Sequence, residues 1–146
     1  MLRGPLAGPA HRARRGRRQL RVARGPGLSS ETAWITKTLG GAQGVAGSRL
    51  GWGAFVEGVL ASVAVPFFIG ERYEDPGVVT EAEYRGRGLS TACAARLLAD
   101  IRARGRLLTW TTSPDNVASL RVARKLGFRP VREDQLYLVR TPVPRS

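Results

Sequence analysis

The chain is poor in the residues that build covalent or metal-centred structures. It has one cysteine, Cys93, and one histidine, His11. A lone thiol excludes an internal disulfide framework, and with no histidine in the main part of the chain it also argues against a Cys-His nucleophile pair. No cluster has metal-ligand spacing, so no metal is expected. No apolar run reaches the roughly 18–20 residues needed to cross a bilayer. The longest, residues 59–69, is interrupted by Ser62 and Pro66 and reads as a buried strand. The first residues lack the apolar core of a secretory signal. A reducing, cytoplasmic location and no membrane contact are the expectation.

Acidic residues are missing from the first 30 positions, which carry eight arginines: Arg3, Arg12, Arg14, Arg15, Arg17, Arg18, Arg21 and Arg24. The excess behind the formal net charge of +13 is therefore mostly an arm, and the remainder is only modestly basic. Residues 1–28 are Arg, Gly, Ala and Pro with few large apolar groups, too few to offset the entropy of ordering. They are expected to be disordered, with a single domain over residues 29–146. A solvated tail, or translated upstream sequence, is preferred for the arm over an RNA-contacting segment. An organelle leader is disfavoured because Gly and Pro spoil its amphipathic helix.

The remaining pattern alternates strand and helix signals. Ser29-Ser30-Glu31 can cap a short helix through Leu39, ended by Gly40-Gly41. Residues 51–56 and 59–68 are β-rich runs joined at Glu57-Gly58, a hairpin signature. Residues 73–80 form a third strand in which Pro76 removes one ladder donor. From Gly88 to Arg104, Leu89, Cys93, Leu97 and Ile101 recur every four residues and make one apolar helical stripe, so Cys93 is a core residue. Residues 107–111 form a short strand. Ser113-Pro114-Asp115 starts a second helix through Leu126, and residues 128–139 form a final strand. Trp34, Trp52 and Trp110 read as core anchors.

The chemistry is concentrated in Val78-Val79-Thr80-Glu81-Ala82-Glu83-Tyr84-Arg85-Gly86-Arg87-Gly88-Leu89-Ser90. A strand runs through a glycine-containing loop straight into an amphipathic helix. Such a helix start presents free N–H groups at the positive end of the macrodipole. Glycines let the main chain approach an anion closely, and Arg85 and Arg87 add charge beside it. A phosphate or pyrophosphate is the natural guest. A P-loop would require Gly-Lys-Ser/Thr to close the loop, and a dinucleotide fingerprint would require a third glycine near a first βα turn; both patterns are absent.

Arg85-Gly86-Arg87-Gly88-Leu89-Ser90 resembles the acyl-CoA signature Gln/Arg-x-x-Gly-x-Gly/Ala of the GNAT acetyltransferase superfamily, with Ser in the last place. Asn116 and Gly127-Phe128 stand where that family has an Asn near the start of its later helix and Gly-Phe at its end. Asp75-Pro76-Gly77-Val78-Val79-Thr80 and Ala118-Ser119 are similar to one of its subgroups. The resemblance covers roughly residues 30–140. It implies an α+β fold: a mixed, mostly antiparallel central sheet with flanking helices, splayed at the acyl-CoA site.

By the same resemblance, Val78, Val79 and Thr80 bind pantetheine and the thioester through backbone groups. Arg85, Gly86, Arg87, Gly88, Leu89 and Ser90 hold the pyrophosphate, and Asn116 and Ser119 contact the cofactor from the other side. The implied reaction is direct attack of a small-molecule or peptide amine on the thioester of acetyl-CoA. A lysine-like amine has a pKa of about 10.4, so its deprotonation at pH 7 costs about 4–5 kcal/mol and a general base is useful. Glu81 is the candidate, with Glu83 and Asp75 as competitors. The family often protonates the departing thiolate with a Tyr seven residues after the Asn; that position is Ala123, leaving solvent, Tyr84 or Tyr137. Family members usually begin with a strand and one or two helices before the hairpin, so a shortened front end is expected. An inactive member is the alternative this raises. Many relatives pair, which makes a homodimer a further expectation.

Overall fold

The hairpin is set by its turn. Glu57 and Gly58 both sit at positive φ, 51° and 84°, as a two-residue connection of right-twisting strands demands. The computed structural model describes residues 1–3 and 28–135. In chain order these form β1 (Leu2–Arg3), a 3-10 helix (Ala33–Leu39), α1 (Gly41–Ser48), β2 (Trp52–Val56), β3 (Val59–Ile69), β4 (Tyr73–Thr80), a 3-10 turn (Ala82–Tyr84), α2 (Leu89–Ala103), β5 (Leu107–Trp110), α3 (Val117–Lys125) and β6 (Arg129–Pro130). None of the described helices is long and apolar enough to cross a membrane.

The strands form one sheet in the order β2-β3-β4-β5-β1-β6. All neighbours are antiparallel except β4 and β5, which are parallel. This is the mixed, mostly antiparallel sheet that was expected. The apolar stripe of α2 (Cys93, Ala94, Leu97, Leu98 and Ile101) covers one face and packs with Leu108, Trp110, Ala123 and Phe128. On the other face Ile35 and Val45 meet Val63 and Val65, joined by Leu39, Phe67 and Val79. Gly77 lets that layer close down. A Cβ there would stand 2.6 Å from Ile35 Cδ1 and 3.2 Å from Phe67 Cβ, inside normal contact.

Gly40 ends the first helix after Leu39 in the left-handed conformation, φ 80°, as expected, but a second helix that was not expected, α1, follows at once. The Gly-rich sequence of α1 has weak helix propensity, but its Val45 is 1% exposed in the second core, and burial outweighs propensity. The later helix begins at Val117 with Asn116 as its cap, not at Ser113-Pro114-Asp115. The last strand is only Arg129–Pro130, and the expected stretch beyond residue 135 lies outside the described residues.

The amino terminus also differs from the expectation of an arm disordered from its first residue. Leu2 and Arg3 pair with Trp110 and Thr109 on one side and with Pro130 and Arg129 on the other. Leu2 is 5% exposed in the α2 core. The rest of the expected arm, residues 4–27, lies outside the described residues.

Candidate functional site at the strand fork

β4 and β5 run together for two registered pairs, Tyr73 with Leu107 and Glu74 with Leu108, and then part. The root of this fork is fastened by an ion pair. Arg104, at the end of α2, places Nη2 2.6 Å from Oε2 of Glu74, whose side chain is buried. Arg106 donates to the carbonyls of Gly70 and Glu71 beside it.

Register decides which main-chain groups face the fork. Leu107 N–H donates to Arg72 C=O on one edge of β4, and Glu81 N–H donates to Ala61 C=O on the other. Successive residues of a strand alternate the edge they address, so even-numbered residues of β4 turn to β5 and odd-numbered ones to β3. Val78 and Thr80 therefore direct their N–H and C=O groups into the opening. Val79 does not: it pairs with Val63, and its carbonyl also accepts from Ser62 Oγ at 2.8 Å. Of the three strand residues expected to bind through the backbone, Val78 and Thr80 turn their main-chain groups to the opening, whereas Val79 turns its own to β3 and its side chain joins the second core.

The opening leads to the start of α2. Gly88 caps the helix at φ 77° with no side-chain bond, and the first turn has no acid. The N–H groups of Leu89, Ser90 and Thr91 thus lack intrahelical acceptors at the positive end of the dipole. Gly86 shares the left-handed conformation, φ 77°, and a Cβ on either glycine would meet nothing within 4 Å. The loop is open on the side to which both Cβ atoms would project. Arg85 Nε donates to Thr80 C=O at 3.3 Å, and the Arg87 guanidinium lies 5.3 Å from the Tyr84 ring centroid. Ser90 Oγ stands 2.5 Å from Thr80 Oγ1, which is 2.8 Å from Ser62 Oγ. This hydroxyl chain ties the helix start to the end of β4, leaving Ser90 its N–H for the site.

Asn116 and Ser119 lie on the other limb of the fork, where β5 leads into α3. Asn116 Oδ1 accepts from Ser119 N–H at 3.1 Å, capping the helix, and Ser119 Oγ accepts from Trp110 Nε1 at 2.9 Å. These bonds engage Asn116 Oδ1 and Ser119 Oγ as acceptors. Ala123 is fully buried in the core of α2 and α3. Tyr84 is half-buried, Glu83 is exposed, and Tyr137 lies outside the described residues.

Glu81 is not free. Its Oε1 accepts from Ser29 N–H at 2.9 Å and from the Thr32 hydroxyl, and its Oε2 accepts from Ser29 Oγ at 2.8 Å. Burial works to raise this carboxyl, but the Thr32 and Ser29 donors outweigh it and hold it below the ordinary value. Asp75 behaves oppositely: burial dominates over its donors from Thr111 and Thr109 and pushes its carboxyl up. Burial likewise raises the Cys93 thiol, which sits in the core as expected. Four contributing hydroxyls escaped the sequence reading: Thr32, Ser62, Thr109 and Thr111. The available signals were a lone Ser inside an apolar strand and threonines two apart at the end of a short one.

The sheet is mostly antiparallel, and its one parallel pair opens onto an uncapped, glycine-flanked helix start. The family model for GNAT acetyltransferase matches residues 43–137, and the chain belongs to that family. It is 42% identical over 90 residues to an uncharacterized N-acetyltransferase from the mutA 5′ region of Streptomyces virginiae, covering 60% of this chain and 38% of that one. With the uncharacterized N-acetyltransferase YdfB of Bacillus subtilis it shares 32% identity over 78 residues, 53% of this chain and 30% of the relative. The chain thus matches well under half the length of these curated relatives. A crystal structure of a GNAT-family protein from Novosphingobium aromaticivorans superposes with a TM-score of 0.52 at 32% identity, over 55% of this chain and 37% of the other. An aminoglycoside N-acetyltransferase solved with CoA shares the fold, with a TM-score of 0.51 at 21% identity over 61% and 74% of the two chains.

Proposed function

We propose that the protein transfers an acetyl group from acetyl-CoA to a small-molecule or peptide amine. The observation that carries this reading is the fork itself, whose opened edge of β4 runs into the bare N–H groups at the start of α2. The helix-start amides from Gly86 to Ser90, with Arg85 and Arg87, take the pyrophosphate. Val78 and Thr80 pair their main chain with the pantetheine amides and stabilise charge developing on the thioester oxygen. Asn116 and Ser119 shape the other limb through the cap of α3.

Glu81 is better suited to anchoring than to base catalysis. Moving a proton from an amine of pKa about 10.4 to an ordinary carboxylate of pKa about 4.3 is uphill by about 8 kcal/mol, whereas losing it to solvent at pH 7 costs about 4–5 kcal/mol. Glu81 is held lower than an ordinary carboxylate, which widens the gap. The amine therefore reacts as its free base from solution. The attacking nitrogen loses its proton to solvent as the intermediate collapses, and solvent protonates the leaving thiolate, since Ala123 offers no acid. Rate should rise with pH until the amine's own pKa is reached.

Saturating acetyl-CoA should raise the melting temperature, because a ligand present at about 100 times its Kd adds about 2.7 kcal/mol to the native state. Thiol release should appear with at least one member of an amine panel. The absence of both a thermal shift and thiol release would refute the proposal. A thermal shift without release would favour the inactive alternative raised by Ala123.

A further inference from the structure

The position of the fork is chosen by two adjacent residues, and the register shows how. Pairs at Tyr73/Leu107 and Glu74/Leu108 draw on the N–H groups of Leu107 and Thr109 from β5 and of Glu74 from β4. Continued, the ladder would next need the N–H of residue 76 donating to Thr109 C=O, and then Thr111 N–H donating to the C=O of residue 76. The first of these donors does not exist, because residue 76 is proline. Its missing N–H lies on the β5 edge, since even-numbered residues face that way. The second donor has been taken by a side chain: Thr111 N–H donates to Asp75 Oδ1 at 3.2 Å.

Asp75 does more than satisfy that amide. Its Oδ2 accepts from Thr109 Oγ1 at 3.2 Å and from the Thr111 hydroxyl, so one buried carboxylate spans both strands just past the last rung. Asp75 is 7% exposed and Thr109 is 3% exposed. A carboxylate placed between two strands keeps them further apart than a direct N–H to C=O bond would. It also leaves no orphaned donor on the β5 side to pull the strands together.

We infer that Asp75 and Pro76 together act as a positioning wedge that stops the β4–β5 ladder after Glu74 and so leaves the main chain of Val78 and the N–H of Thr80 unpaired with β5, for the acyl-pantetheine arm. Asp75 is a positioning residue here, acting through strand geometry rather than on the reacting atoms. The inference rests on the acetyl-CoA reading above and adds the determinant of where the cleft opens.

The test uses the full chain with three substitutions, Asp75→Asn, Asp75→Ala and Pro76→Ala, measured for acetyl-CoA affinity by calorimetry, for KM and kcat, and for amide hydrogen exchange at Thr111. Asn retains an acceptor for Thr111 N–H, and the threonine hydroxyls can reverse to accept from its amide, so Asp75→Asn should remain within about threefold of the parent in affinity, less than one hydrogen bond's worth. Asp75→Ala should lose Thr111 protection and bind acetyl-CoA about tenfold or more weakly, as the loss of one oriented bond implies. Pro76→Ala restores the absent donor. It should melt no lower than the parent yet raise the KM for acetyl-CoA, a split that a merely structural proline would not produce. If Asp75→Ala does not fold, Pro76→Ala and Thr111→Val, which removes one hydroxyl donor alone, decide the matter. Parent-like acetyl-CoA affinity and KM in the folded variants that break or bypass the wedge would overturn the inference while leaving the functional proposal intact. A parent protein that binds no acetyl-CoA would instead sink the functional proposal, and Thr111 exchange would still report whether the wedge exists.

Discussion

Replacing Glu81 with alanine separates an anchoring carboxylate from a catalytic one. The substitution removes the acceptor for three donors that hold the segment before the first 3-10 helix against the end of β4. The Thr32 hydroxyl matters most, because Thr32 is 5% exposed. A bond from such a donor to an ionised group is worth about 1.5–3 kcal/mol. Part is recovered because Thr32 Oγ1 also donates to Ser29 C=O at 3.3 Å. The two Ser29 bonds face solvent and add about 0.2–0.5 kcal/mol each. The net loss at pH 7 is about 1.5–2.5 kcal/mol, or about 5–12 °C in melting temperature for a domain of this size.

The sign of the pH dependence follows from the depressed carboxyl. Its contribution is fully present above the unfolded pKa, about 4.3, and fades as pH falls through the lower folded value. The gap between parent and Glu81→Ala in thermal melts should therefore be full at pH 7 and close below about pH 4. The kcat for acetyl transfer should change less than tenfold, whereas removal of a true general base costs about 10²–10⁴-fold. An unchanged melting temperature at pH 7, a gap that persists in acid, or a kcat loss in the general-base range would each refute this account.

Three further outcomes follow from the same structure. Gly88→Ala forces a Cβ into the left-handed conformation at φ 77°, costing about 1–2 kcal/mol, and should weaken acetyl-CoA binding in calorimetry as the helix-start amides reorient. Asp75→Asn should melt at or above the parent at neutral pH. The raised carboxyl favours the native state only when protonated, a contribution lost as pH rises through the folded value, so the difference should vanish in acid. Ile101→Ala empties a fully buried position under α2 and should cost about 2–5 kcal/mol in denaturant unfolding without touching the fork.

Much of the architecture was legible because local signals agreed with one another. The four-residue recurrence of Leu89, Cys93, Leu97 and Ile101 specifies α2 and its buried face, and all but the half-buried Leu89 lie in the core. The Glu57-Gly58 turn fixes the hairpin register. The glycines at 86 and 88 mark the helix start. The readings that failed were those in which a weak local preference met a long-range contact. Gly-rich α1 exists because Val45 finds a core, and β1 exists because Leu2 and Arg3 fill the space between β5 and β6.

What the sequence alone determined is therefore the periodic elements and the glycine–arginine loop before α2, whose residues are neighbours in the chain. What only the tertiary structure decided is the assignment of each polar group at the site. Glu81, Asp75, Asn116 and Ser119 are equally plausible ligands or bases in one dimension. Their partners, Ser29 and Thr32, Thr109 and Thr111, and Trp110, include residues from strands and turns far along the chain. Hydrogen bonding and burial shift proton affinity and occupy lone pairs only once those segments are packed together, so the roles of these side chains emerge with the fold.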